Sequence, residues 1–442
     1  MSDQPPPNNS LSRRTVLAGA ALSPVAATAA RTAAPPRSAP PPERPVFLDR
    51  ERASAVLAAA GLDALLLSVP ASVYHATSAW PALARMGQTE TALALVPQDR
   101  AAPIAFLTSQ FVHYYTGADI GLAPGVQPFL VTAPTSPDTP FFFKAQQPDL
   151  PPREVHRRAA VAQGTLHPGF AAALAAAATG LGGTSARIGH ETLEAGALLA
   201  AALPRASRHA VPDLARHLRL HKTAPEIALM RAASAVNVAA GLATAAEMGR
   251  LGSLQAVRDA FNAHVAAAGN TPVFMVVDGV IAPEVDAPLV PGRAALIDCV
   301  SHCEGYHGDF GRTVFLGEPP RAALTAARQI ASAWEALRAE LRPGLRFSEV
   351  RARGAALLKA QGSSLAVPFN PHVVGLNHTD QPKFDLAGKP VDHVLAPGMT
   401  ISVDCPLMEV GLWGTLHLED LTLITADGST PLHDTGQQII IA

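Results

Sequence analysis

A chain of 442 residues with 48% hydrophobic and 16% charged residues is long enough for more than one core and too apolar to stay disordered. Lysine plus arginine total 34 against 36 for aspartate plus glutamate, a formal net charge of −2. No basic run is interleaved with aromatics, which excludes nucleic acid as a partner class. Three cysteines, Cys299, Cys303 and Cys405, are too few for a disulfide framework.

Residues 1–30 read as an address. Ser12-Arg13-Arg14-Thr15-Val16-Leu17 leads into an alanine-rich apolar run to Ala30, and Ala27-Thr28-Ala29 supplies the small residues that a signal peptidase accepts. The paired arginines resemble a bacterial twin-arginine export signal, a route for folded proteins that suits an enzyme loading metal before export. The run is shorter than the roughly 20 residues that cross a bilayer, so no stable membrane anchor is expected. Residues 31–46 are proline-rich and read as an extended linker. The mature protein is therefore expected in the periplasm or secreted.

From residue 47 to about 210 the pattern is that of an α/β domain. Leu48–Ala60 has helical spacing stopped by Gly61, while 63–68, Ala92–Val96 and Ile104–Leu107 read as buried strands. Thr132–Pro152, with many prolines and Phe141-Phe142-Phe143, reads as a loop or insertion whose aromatics could pack on a partner subunit. A second domain, 211–442, opens with a capping box at Thr223-Ala-Pro-Glu226. Its helix is expected to bury Ile227, Met230, Ala233 and Val236. Strands at Ala294–Val300 and Val314–Leu316, helices at Ala322–Leu341 and Ser348–Lys359, and strands at Thr400–Asp404 and Leu416–Thr425 follow.

The chemistry gathers in this second half. Asp298 ends an apolar strand, where a lone carboxylate is costly unless it is paired or bound to a metal. Asp309 comes eleven residues later, past Gly305 and Gly308, so a hairpin would set the two carboxylates side by side. Like charges that close do not both stay ionised without a cation. Asp404, on the polar side of Ile401 and Val403, and Glu419, fifteen residues on, repeat the pattern, and His372 adds a nitrogen donor. Four carboxylates balance two divalent cations, and oxygen-rich ligation with one imidazole suits Mn²⁺, Fe²⁺, Co²⁺ or Zn²⁺. Taken singly, each acidic residue fits a surface turn as well; the ordered set carries the weight. Cys299 and Cys405, adjacent to Asp298 and Asp404, are expected to point away from the metals. Cys299 and Cys303 with His302 or His307 could make half a zinc site, but no second pair follows at zinc-finger spacing.

Asp298-Cys-Val-Ser-His-Cys-Glu-Gly305-Tyr306-His-Gly-Asp309-Phe-Gly-Arg312-Thr313, Pro397-Gly398-Met399 before Asp404-Cys405-Pro406, and Glu419-Asp420 together resemble the family of methionine aminopeptidase, Xaa-Pro aminopeptidase, prolidase and creatinase. Upstream, Gly61-Leu-Asp63-Ala-Leu-Leu with Val73-Tyr74, and Leu218–Ile227, resemble its N-terminal domain and the opening of its catalytic domain; the likeness covers about residues 47 to 442. The resemblance implies an α+β fold, a pita-bread catalytic domain preceded by a creatinase-type α/β domain. It implies a two-metal site at Asp298, Asp309, His372, Asp404 and Glu419, with manganese the leading metal. It further implies amide hydrolysis of a peptide or small molecule, and a homodimer.

Three departures qualify it. The family's fourth ligand is normally glutamate, and Asp404 is one methylene shorter at a position that also helps activate water. His372 and His378 stand six apart where seven is usual, so His378 either reaches the substrate carbonyl or is a loop residue, and Asp380 beside it is free for a new role. The histidine usual upstream of the first ligand is missing from 276–286. A metallopeptidase of Xaa-Pro type, with His378 and Asp404 catalytic, is the leading expectation. Its rivals are a creatinase-like hydrolase or carbon–sulfur lyase on the same fold, and a degenerate binding protein.

Overall fold

Asp49 starts the first helix, Arg50–Ala59, by accepting hydrogen bonds from the backbone N–H groups of Glu51 and Arg52. Gly61, at φ +64°, then turns the chain into a strand, a conformation that glycine takes without strain. The computed structural model describes residues 44–132, 150–181, 186–408, 414–433 and 435–442. The expected signal, most of the linker, and the Phe141-Phe142-Phe143 insertion lie outside the described residues.

Seven strands follow: β1 (Ala64–Leu67), β2 (Ala92–Pro97), β3 (Ile104–Ser109), β4 (Val126–Val131), β5 (Thr165–His167), β6 (Arg187–His190) and β7 (Ser207–Ala210). They form one sheet in the order β5-β4-β3-β2-β1-β6-β7. β2 is antiparallel to both neighbours and the remaining pairs are parallel. β1 and β2 are buried throughout, which explains their unbroken apolar runs. Leu65 and Leu67 join a cluster on one face with Leu57 and Val73, while Leu66 joins Leu95, Leu174 and Leu199 on the other.

The capping box forms as expected: Glu226 Oε2 accepts from the Thr223 backbone N–H at 2.7 Å and from its hydroxyl at 2.9 Å. The helix it starts, Ala224–Leu251, buries Met230, Ala233, Asn237, Ala240, Gly241, Thr244 and Met248. Ile227 and Val236 are only half-buried. A strict spacing of three slips backward around a helix of 3.6 residues per turn, so the stripe drifts away from Val236. This helix is long and apolar enough to cross a membrane, but here its apolar residues pack into two core clusters.

The catalytic half carries two further sheets. β8 (Thr271–Val277), β9 (Ala294–Cys303), β10 (Tyr306–Phe315), β11 (Asn370–Val373), β12 (Thr400–Asp404), β13 (Glu419–Asp420), β14 (Thr422–Ile424), β15 (Ser429–Pro431) and β16 (Ile439–Ile441) arise in chain order. One sheet runs β13-β10-β9-β8 with β16 beside β10; the other runs β11-β12-β14-β15. The expected helices lie at Arg321–Glu340 and Phe347–Ala360. β10 is far longer than the expected Val314–Leu316, and the run expected over Leu416–Thr425 breaks at Leu421. β13 pairs with β10 while β14 pairs with β12, so the fully buried Leu421 is where the chain changes sheets.

β10 lies against the Ala224–Leu251 helix with almost no side-chain layer between them at Gly308. A Cβ there would fall 2.9 Å from the Ser234 backbone. Cys299 likewise points to this helix, toward Gly241, and donates to the Phe310 carbonyl at 3.3 Å.

Candidate metal centre

The five-stranded sheet carries Asp298, Asp309 and Glu419, and the four-stranded sheet carries His372 and Asp404. Register explains the first three. Asp298 on β9 lies opposite Gly311 on β10, and Gly311 in turn lies opposite Glu419 on β13. Asp309 is two residues back along β10 and therefore on the same face as Gly311. On the second sheet Asp404 faces Asn370 and His372 faces Ser402.

All five expected residues converge. His372 Nε2 stands 3.2 Å from Glu419 Oε1 and 3.5 Å from both Asp309 Oδ2 and Asp404 Oδ2. His378 Nε2 is 3.2 Å from Asp309 Oδ2, and its ring meets Phe274 edge-on, so it faces the cluster and is not an idle loop residue. Donor atoms of Asp309, His372, His378 and Glu419 lie within 4.8 Å of one another, and so do those of Asp298, His417 and Glu419. Glu419 belongs to both groups. Asp404 belongs to neither and stands at the rim, its side chain 25% exposed. One of its oxygens faces His372 and the other lies 3.9 Å from His417 Nε2.

His417 is the residue that sequence reasoning passed over. It sits two positions before Glu419 in an extended segment, so both side chains leave on one side, and its Nε2 comes within 3.2 Å of Glu419 Oε2. That i, i+2 relation was the available signal. The cysteines stand apart from both donor groups.

Burial and mutual repulsion set the electrostatics. Burial first, then the Glu419 charge, pushes Asp298 up to about 6 and Asp404 up to about 7, and holds Asp309 well above the usual carboxylate range. Burial also opposes charge on the rings. A hydrogen bond to Glu419 together with the neighbouring carboxylates outweighs it, raising His372 to about 10 and His417 to about 9. Those two bonds hold Glu419 well below its ordinary value against its burial.

Two imidazolium protons thus stand among four carboxylates where cations would otherwise go, and metal binding to such a set displaces protons. Both oxygens of Asp309 and Oδ1 of Asp298 are buried without a hydrogen-bond partner among the described residues. A buried carboxylate left so is costly unless a cation takes it. The donor set fits a pair of hard-to-borderline divalent ions.

Outside the donors, two buried acids hold the frame. Asp420 accepts from Arg312 at 2.7 Å, from the Trp334 indole at 3.0 Å and from His433 at 3.0 Å. Arg312 also donates to the Glu419 carbonyl, which ties down the segment bearing that carboxylate. Asp380, for which the sequence suggested a new role, grips Arg219 through three contacts of 2.7 to 3.2 Å and accepts from Asn377. It anchors the His378 turn to the segment opening the catalytic half. Beside the donors lies a cavity of about 370 Å³, walled by Val276, Leu296, Pro368, Pro406 and Met408 together with Asp298, Asp404 and His417. Its lining is mostly apolar.

A model of metallopeptidase family M24 matches residues 194–426. The fold superimposes on prolidase from Pyrococcus horikoshii with a TM-score of 0.64 at 16% identity, covering 88% of this chain and 99% of that one. The probable dipeptidase PepE of Mycobacterium tuberculosis is 28% identical over 158 residues, 35% of this chain and 41% of that protein. Methionine aminopeptidase A of Synechocystis is 32% identical over 147 residues, 32% of this chain and 56% of that protein. These matches span about two-fifths to just over half of each curated relative. The α+β pita-bread architecture expected from the sequence is the architecture of this chain.

Proposed function

We propose that this chain, which belongs to metallopeptidase family M24, is an exported dinuclear metallopeptidase cleaving an amide bond next to proline. The observation that carries the reading is the convergence of Asp298, Asp309, His372 and Glu419, with Asp404 at the rim, around buried carboxylate oxygens that no donor among the described residues satisfies. Asp298, Asp309, His372, Asp404 and Glu419 would hold two divalent ions, manganese being the leading choice. When bound, such a pair supplies acidified water and an electrophile for the carbonyl oxygen.

The chain's own residues do the rest. Asp404, in the lining of the cavity and raised toward neutrality, accepts the proton from water and delivers it to the leaving nitrogen. His378 donates to the carbonyl oxygen as charge develops there. The apolar wall of Val276, Leu296, Pro406 and Met408 offers a seat for a proline ring or small apolar side chain and keeps bulk water away.

The test is turnover of an Xaa-Pro dipeptide and tripeptide panel by natively purified protein whose metal content has been measured. Cleavage with two equivalents bound is expected. Two equivalents bound and no peptide cleaved overturns the peptidase reading and turns the search to small non-peptide amides and sulfonium compounds. No metal retained overturns the dinuclear-metal reading and leaves a creatinase-like hydrolase that works without metal, or a binding protein. Export rests on Arg13-Arg14 and the apolar run after them; replacing both arginines by lysine should retain the protein in the cytoplasm. A homodimer is part of the same reading, and sedimentation of the mature protein tests it.

A further inference from the structure

A ring seated against a glycine marks one more donor. Gly311 lies in register between Asp298 and Glu419, at the centre of the acidic face. A Cβ at 311 would fall 2.2 Å from His417 Cδ2, 2.4 Å from its Nε2 and 2.9 Å from Glu419 Cβ. Its backbone is not in the left-handed region, so φ does not call for glycine here; space for the imidazole does.

The ring is also held from behind. The His417 N–H donates to the Thr313 hydroxyl at 2.9 Å, and that hydroxyl donates back to the His417 carbonyl at 3.0 Å. Thr415 next door accepts from the Leu296 N–H at 2.9 Å. The segment is thereby fixed alongside β10, and Nε2 is delivered between Glu419 Oε2 at 3.2 Å and Asp404 Oδ1 at 3.9 Å. The other ring nitrogen, Nδ1, has no partner among the described residues. His417 is 3% exposed, so neither nitrogen is there to meet bulk solvent.

We propose that His417 is a metal ligand through Nε2 in the Asp298 half of the centre, with Gly311 the residue that admits its ring. The inference rests on the two-metal reading. It gives the two halves comparable donor sets that share Glu419: Asp309 with His372 on one side, Asp298 with His417 on the other. Asp404, short and at the rim, then shares that half of the site with His417 and keeps an oxygen available for proton transfer.

Cobalt(II) loaded into the full-length protein tests this without turnover. Each imidazole bound to Co(II) through Nε2 gives a strongly shifted, solvent-exchangeable Nδ1–H proton resonance, so the spectrum counts bound histidines. With two equivalents of Co(II) in place by elemental analysis, His417→Gln should lose one such resonance, and Gly311→Ala the same one. Fewer than two such resonances in the unaltered protein overturns the proposal even if both variants misfold. An unchanged set in a folded His417→Gln protein with two equivalents bound also overturns it, making His417 a positioning residue for Glu419. If the unaltered protein never holds two equivalents, the two-metal reading itself has failed, and the proposal with it.

Discussion

Removing the Asp420 carboxylate isolates the support of the metal centre from the centre itself. Asp420 and Arg312 are 5% and 2% exposed, and the carboxylate gathers Arg312, the Trp334 indole and His433. The Arg312 charge beside a buried carboxyl holds Asp420 down to about 2 from an ordinary 3.8, against the opposing effect of its burial. At about 1.4 kcal/mol per tenfold change in proton affinity, that is about 2 kcal/mol of stability. A depressed carboxyl contributes this above its unfolded value, so it is present above about pH 4 and lost as pH falls toward 2.

Asp420→Asn keeps one acceptor oxygen, turns the other into an NH₂ donor facing a donor, and loses the charge, so it should cost at least about 2 kcal/mol at neutral pH. Asp420→Ala also strands the indole N–H and leaves Arg312 with the carbonyls of Gly311, Glu419 and Gln437 and the Thr435 hydroxyl. The expected cost is then about 3–5 kcal/mol, nearer the lower figure because those carbonyls remain. Arg312 also tethers the Glu419 backbone, so both variants should bind metal about 10–100-fold more weakly. Urea unfolding with chelator present measures the first effect, and Mn²⁺ titration the second. An Asp420→Ala protein within 1 kcal/mol of the unaltered one, with unchanged Mn²⁺ affinity, would refute the reasoning.

Raised folded values for Asp298, Asp404, His372 and His417 all have one sign. Their stabilisation of the metal-free protein is complete at low pH and lost as pH rises, from about 4 to 7 for the acids and from about 6.5 to 10 for the rings. Because metal displaces those protons, the rise in Tm on adding Mn²⁺ should be larger at pH 8 than at pH 5.5, and a flat response in thermal melts would count against the donor assignment. Asp404→Ala should lower kcat about 10²–10⁴-fold, and steady-state kinetics at full metal loading would expose a merely structural Asp404 by unchanged kcat. His378→Ala should lower kcat about 10²–10³-fold with KM little altered; an effect confined to KM would assign it to binding. Gly308→Ala forces a methyl toward the Ser234 backbone, 2.9 Å away, and should cost about 1–3 kcal/mol in chelator-treated protein, while a neutral result in urea unfolding would mean that helix and strand are free to separate.

The order Asp298, Asp309, His372, Asp404, Glu419 was legible because each residue type is costly in its apolar setting and the spacing between them resembles one family. The capping box at Thr223 and the buried runs of β1 and β2 were legible for the same local reason: cap chemistry and burial on both faces leave a mark within a few residues. The stripe on the Ala224–Leu251 helix was misplaced by reading steps of three where the helix turns every 3.6 residues.

What chain order could not disclose is adjacency across strands. Asp298, Gly311 and Glu419 become neighbours only once β9, β10 and β13 pair, and only then does a glycine become room for the His417 ring. The role of Asp380 stayed open in the sequence because Arg219, its partner, is 161 residues away in the chain. The four carboxylates and His372 that meet here were visible in the sequence, and His417 was not. Which histidine serves which carboxylate, and which acid stands back at the rim, was decided by sheet register and by the break at Leu421 that sends one segment to two sheets.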